Sequence, residues 1–367
     1  MSAISINNST VTADNSASDT VLILSQNFLQ TYDLITNVII TPIVCVVGVV
    51  LNGVGLHLLR QDSNTNSQSF QFHMLTLLIV QTATLIFGFL RSVPDIIETY
   101  DFNVGNYIDV QMRLYVVYID KVLNHMSTCI LLAMSIERLC LLVKPFTFKE
   151  YLITKRPKLT ISVASLIGAA YLIPFLFCFE VEPIINAVNM TSYRVATIPH
   201  CRECITYVLY VETFMLRLIS PALVLILNIA IPIAYYRVLK TQKPFFDKGA
   251  SREHNLKRLT AVLLAIMLLY LLLSVPDLLA QILSFAHSEY SFDGKYRNVY
   301  YFFINLSNLF MNVNAGCAAI VYICASKRIW VLFKTRCCQC FETLGYRSNP
   351  NTCYTITNSQ PGSLTFS

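Results

Sequence analysis

The sequence predicts an all-α membrane protein, a seven-transmembrane helix bundle with a short amphipathic helix after the seventh span. Three observations carry that prediction. Of the 367 residues 55% are hydrophobic and 13% charged, too little charge to cover a soluble domain of this size. Apolar runs near 33–59, 73–99, 112–143, 158–180, 205–238, 258–286 and 298–324 are each long enough to cross a hydrocarbon core of roughly 30 Å as helix. None of them alternates apolar and polar positions as the strands of a membrane barrel would.

In chain order, residues 1–31 read as a polar, disordered tail: they are rich in Ser, Asn, Thr and Asp and contain no Lys or Arg. Asn7 and Asn8 open overlapping Asn-x-Ser/Thr sequons, which act as glycan acceptors only outside the cell. The tail lacks the charged start and apolar centre of a signal peptide, so translocation is expected to rely on the first span. The membrane domain covers residues 32–325. Residues 326–341 then combine helically spaced apolar and basic positions with a cysteine cluster, and read as a helix lying on the membrane surface. Residues 342–367 read as a second disordered tail.

Basic residues set the orientation. Lys144, Lys149, Lys155, Arg156 and Lys158 follow the third run, and Lys240, Lys243, Lys248, Arg252, Lys257 and Arg258 follow the fifth. Arg194, Arg202, Lys295 and Arg297 are among the few on the opposite side. The positive-inside rule places the N-terminus outside and the C-terminus in the cytoplasm. Asn189, in a third sequon, falls outside as well. The net charge of +6 is explained by this loop distribution, so no nucleic-acid partner is expected.

Enzyme chemistry has no support in the motifs. HExxH and GxSxG are absent, the six histidines are dispersed, and the twelve cysteines form no paired CxxC metal spacing. Neither a metal nor a cofactor is expected. A transporter would show repeated, broken helices in paired positions, and no such symmetry is found.

The third run ends in Ser135-Ile136-Glu137-Arg138-Leu139-Cys140, followed by Pro145-Phe146. With Asn52 in the first run, Pro174 in the fourth, Pro221 in the fifth, Pro276 in the sixth and Asn314 through Tyr322 in the seventh, this order of marks resembles the rhodopsin-like G-protein-coupled receptors. The resemblance spans nearly the whole membrane region. Within the family, Pro174 through Glu180 and Asn314 through Tyr322 are partial echoes of invertebrate neuropeptide receptors of the FMRFamide-receptor type.

The resemblance implies a plasma-membrane receptor that binds an extracellular ligand and activates a heterotrimeric G protein. Glu137 and Arg138 would pair in the resting state and Arg138 would contact the G protein when released. Pro276, Asn314 and Tyr322 would belong to the switch. The departures are Thr82 or Gln81 at the helix 2 sodium-site acid, Ser274 at the helix 6 Trp, and Ala318 and Ala319 at the helix 7 Asn and Pro. Arg113 stands near the family's helix 3 Cys, so Cys201 lacks its usual disulfide partner. Cys201 and Cys204 either bond to each other or stay as thiols. Cys337, Cys338 and Cys340 are placed for palmitoylation. A retinal receptor is excluded, because no Lys lies between Asn298 and Cys324.

Ionisable groups inside a span are costly and generally face the bundle interior. Arg91 and Asp95 in the second run, Asp120 and Lys121 in the third, Arg217 in the fifth and Asp277 in the sixth are the candidate ligand-binding residues. Asn308 and Asn312, four apart on one face of the seventh, join them. Asp120 lies about five helical turns before Arg138, the level at which amine receptors of the family hold a cation. Lys121 points elsewhere on the helix yet is able to neutralise Asp120; alternatively internal Asp–Lys or Asp–Arg pairs merely hold helices together. Charges of both signs favour a peptide, with a biogenic amine, or a divergent receptor that no longer signals normally, as the alternatives.

Overall fold

A computed structural model describes residues 26–61, 68–143, 156–185, 191–246, 250–287, 289–290, 295–325, 330 and 333. The first helix runs Gln26–Asp33, passes through a π-helical stretch Leu34–Ile40 and continues as Thr41–Gln61. The second and third are Gln68–Glu98 and Phe102–Val143. The fourth is Pro157–Leu172, continued past Ile173 as Pro174–Phe177. The fifth comprises Arg202–Glu212, a π-helical stretch Thr213–Ile219, and Ser220–Phe246. The sixth and seventh are Ala250–Ala286 and Arg297–Ala325. Six of these are long and apolar enough to cross a membrane, and the shorter apolar Pro157–Leu172 completes a seven-helix bundle.

Each helix divides its apolar residues between two environments. Met74, Ile130, Met134, Ile231, Met267 and Tyr322 are buried in the main core. Val50, Leu166, Ile226 and Leu272 are well over half exposed on the outside of the bundle. In water such an apolar surface would drive association, whereas in a bilayer it faces acyl chains. The seventh helix reaches the first through small residues. A Cβ added at Gly55 would stand 2.8 Å from Ala319 Cβ, and one at Gly48 would stand 3.1 Å from Gly316 Cα. Close helix approach through small residues is how membrane helices gain packing without a hydrophobic driving force. Ala319 therefore has a packing role, and without a proline there the seventh helix runs unbroken.

The first and sixth helices start earlier than expected, at Gln26 and Ala250, and the fifth runs on to Phe246; two further boundaries move for a visible reason. The third helix begins at Phe102 rather than near residue 112. Asp101 caps it, with Val104 N donating to Asp101 Oδ1 at 3.2 Å, and the polar residues Asn103, Asn106 and Asp109 dilute its first turns below an apolar-run criterion. Gly105 lets it start there, because a Cβ at that position would meet the Glu98 backbone at 2.5 Å. The fourth helix ends at Phe177 rather than near residue 180. Beyond it comes an antiparallel hairpin, β1 Phe179–Ile185 and β2 Thr191–Thr197, with Phe179 opposite Thr197. The alternation Phe179-Glu180-Val181-Glu182 has the period of a strand and was available in the sequence.

The hairpin docks on the start of the third helix. Tyr193 N donates to Asn106 Oδ1 at 2.8 Å, and the Tyr193 ring meets Tyr107 edge to face at 5.1 Å. These contacts hold the hairpin where the helix offers no cysteine. Asn7, Asn8, Asn189, Cys337, Cys338 and Cys340 lie outside the described residues, as do both tails. Of the expected surface helix, Trp330 and Phe333 are described, with rings stacked at 5.8 Å.

Candidate functional site

Toward the hairpin end, charged side chains from several helices converge. Lys121 of the third helix donates to Glu212 Oε1 of the fifth in a close ion pair, and Glu212 is only 5% exposed. Arg217 Nη2 stands 3.8 Å from the same oxygen, while Arg217 Nη1 donates to Asp277 Oδ1 of the sixth helix at 2.6 Å. The π-helical stretch Thr213–Ile219 carries Arg217, so the extra residue of that turn lies within the ladder. The order of partners is thus Lys121, Glu212, Arg217, Asp277, across three helices.

Arg91 of the second helix is close enough for its charge to act on both Asp120 and Asp33. Asp33 of the first helix accepts from Asn37 Nδ2 and from Asn305 Nδ2 of the seventh, each at 2.7 Å. Asp95 is half-buried one turn beyond Arg91. Asn312 lies deeper, since a Cβ at Gly88 would meet its Oδ1 at 2.6 Å, and Asn308 is half-buried on the same helix.

The expected candidates Arg91, Asp120, Lys121, Arg217 and Asp277 therefore share one charged cluster. Lys121 pairs with Glu212, and its charge also acts on Asp120, as does that of Arg91. Sequence reading missed Asp33, whose signal is the pair Asp33 and Asn37, four apart on one helix face. It also left Glu212 outside the ligand set, although this residue joins the two cations.

At the opposite end Glu137 and Arg138 are both buried, 1% and 2% exposed. Glu137 Oε2 accepts from Ser69 Oγ at 3.0 Å and faces His73 Nδ1 at 3.4 Å, both on the second helix. Arg138 instead lays its guanidinium over the Phe70 ring, 4.5 Å from the centroid. Its Nε and Nη2 have no hydrogen-bond partner. Among the described residues no ion pair joins Glu137 to Arg138. The expectation of that pair gives way because adjacent helical residues point about 100° apart, and the second helix supplies each with its own partner.

Asn52 Nδ2 donates to the Ala315 carbonyl at 3.0 Å, tying the first helix to the seventh. Ser135 Oγ lies 3.0 Å from Met267 Sδ, closing the third helix on the sixth. Pro276 and Tyr322 are buried and Asn314 is half-buried. Buried charge at both ends of a seven-helix bundle, joined by a third helix that reaches both, suits a molecule that binds at one end and responds at the other.

Comparison with protein families agrees. Residues 97–322 match the family described as 7 transmembrane receptor (rhodopsin family), from the end of the second helix to Tyr322. Comparison with curated proteins finds no match. The chain belongs to the rhodopsin family of seven-transmembrane receptors, multi-pass plasma-membrane proteins that signal through G proteins.

Proposed function

We propose that this receptor binds a basic extracellular peptide at the hairpin end, of the kind recognised by invertebrate neuropeptide receptors. The N-terminus and hairpin face outside, an orientation supported by the basic residues that follow the third helix and surround the junction of the fifth and sixth. Asn7, Asn8 and Asn189 then carry glycans, and Cys337, Cys338 and Cys340 carry acyl chains on the cytoplasmic side.

The observation that carries the ligand class is the unpartnered Glu212 Oε2, buried in a ladder of charges from three helices. A guanidinium or ammonium of the ligand supplies the missing donor to that carboxylate. Cations and carboxylates spread over several helices also suit a peptide, with its carbonyls and several side chains, better than a single amine. At the cytoplasmic end Arg138 is buried with Nε and Nη2 unpartnered, so it turns outward on activation before it meets the G protein.

A library of amidated peptides and biogenic amines, read by nucleotide exchange in cells expressing the receptor, tests this reading. Basic peptides activate, and replacing their Arg by citrulline abolishes the response. Asp120→Asn raises the half-maximal concentration at least tenfold, about 1.4 kcal/mol. Unchanged potency removes Asp120 from the site, and activation by amines alone overturns the peptide assignment.

A further inference from the structure

Three cysteines, one before the hairpin and two just after it, meet beneath the hairpin. Cys178 sits between the fourth helix and β1, and is 7% exposed. Its N donates to the Pro174 carbonyl at 3.0 Å, and its own carbonyl accepts from Ile198 N at 3.0 Å. That second bond continues the β1–β2 ladder one step past the Phe179 and Thr197 pair. Beyond Ile198 the chain folds back in a 3-10 turn, Pro199–Cys201, with Cys201 N donating to the Ile198 carbonyl at 2.9 Å. The turn returns Cys201 to the level of Cys178. Cys204 follows one helical turn later and so shares a face with Cys201. The Cys178 thiol has those of Cys201 and Cys204 as neighbours.

We propose that Cys178 and Cys201 form a disulfide that staples the base of the hairpin, leaving Cys204 as a free thiol at the surface. The bond replaces a tether to the third helix with one inside the loop itself. It closes a loop holding the whole hairpin, and thereby narrows the positions the hairpin can take over the charged cluster. Cys201 is chosen over Cys204 because the backbone bonds at Ile198 fix its position against Cys178, whereas Cys204 is exposed. Burial and the two neighbouring thiols push the Cys178 thiol up to about 12, so Cys178 is the second sulfur to react and is shielded from reductants once bonded.

Oxidation proceeds by exchange with a disulfide of a secretory-pathway thiol oxidoreductase. A Cys201 thiolate attacks that disulfide and expels one donor sulfur, and Cys178 then attacks the mixed disulfide and expels the other. One S–S bond breaks and one forms. The donor leaves as a dithiol carrying the two protons. The proposal rests on the orientation given above, because the exchange requires the hairpin side to lie in an oxidising compartment.

Peptide mapping decides the pairing. Cleavage after Lys158, Arg194, Arg202 and Arg217 places Cys178, Cys201 and Cys204 on three separate tryptic peptides, 159–194, 195–202 and 203–217. Full-length receptor from cell membranes is denatured, alkylated without reductant and digested. The expected result is peptide 159–194 joined to 195–202, with 203–217 alkylated. Joining of 195–202 to 203–217, joining of 159–194 to 203–217, or alkylation of all three peptides overturns the proposal. An N-terminal epitope, stained on intact cells, tests the orientation separately. A displayed epitope with three alkylated peptides refutes the disulfide alone; a hidden epitope refutes the orientation with it. Cys204→Ser keeps the 159–194 to 195–202 link in the same assay; its loss in that variant contradicts the assignment.

Discussion

Arg217 Nη1 lies 2.6 Å from Asp277 Oδ1, binding the fifth helix to the sixth at the residue directly after Pro276. Pro276 has no N–H to give to the preceding turn, so the sixth helix is weakest where this ion pair holds it. The pair acts as a latch on the segment best able to bend. Asp277→Asn should raise ligand-independent nucleotide exchange several-fold, and the swap Arg217→Asp with Asp277→Arg should bring it back toward wild type. Basal exchange in membranes measures this. An unchanged basal rate in Asp277→Asn would show that the pair is only a strut.

Lys121 holds the nearly buried Glu212, so removing the cation leaves a carboxylate stranded. Lys121→Met should cost about 3–5 kcal/mol, the usual penalty for breaking a buried pair from one side. Lys121→Met with Glu212→Gln should recover much of that loss, because neither charge then remains. Thermal unfolding of purified receptor in detergent checks both; equal destabilisation by the single and double variants would argue against the pair.

Ser69 and His73 of the second helix hold Glu137 of the third, and this arrangement predicts coupling between helices. Ser69→Ala and Glu137→Gln should each raise basal exchange, and the double variant should do little more than either alone. Such non-additivity identifies residues that share one interaction. Full additivity would mean that the two residues act independently.

Gly168 is packed against the His125 ring, and a Cβ there would collide with it. Gly168→Val should destabilise the receptor by about 1–3 kcal/mol through overpacking. His125→Ala should relieve most of that cost by vacating the space. Melting curves of the three variants test the contact between the third and fourth helices.

The seven spans were legible because hydrocarbon imposes a length and an apolar composition that few other folds share. Asp120, Lys121, Arg217 and Asp277 were legible for the same reason: charge within an apolar run marks itself. Their partners were not. Lys121 points away from its sequence neighbour Asp120 and reaches Glu212 on another helix, a partner that the sequence does not name. Glu137 and Arg138 failed in the same way, as neighbours in sequence that face different residues of the second helix. Asp33 was hidden at the margin of its run, where a charge attracts no notice. The hairpin was missed although Phe179 through Glu182 alternates, because a short strand is masked by the long apolar run before it.

The central claim is that charge at the hairpin end controls a G-protein contact made by Arg138 about five turns away. Nucleotide exchange on a purified G protein, driven by purified receptor in lipid discs with a basic amidated peptide, tests it most directly. The expected result is peptide-dependent exchange with the wild-type receptor, a response shifted to at least tenfold higher peptide with Asp120→Asn, and loss of exchange with Arg138→Ala despite retained peptide binding. Exchange that survives intact in Arg138→Ala would contradict the account.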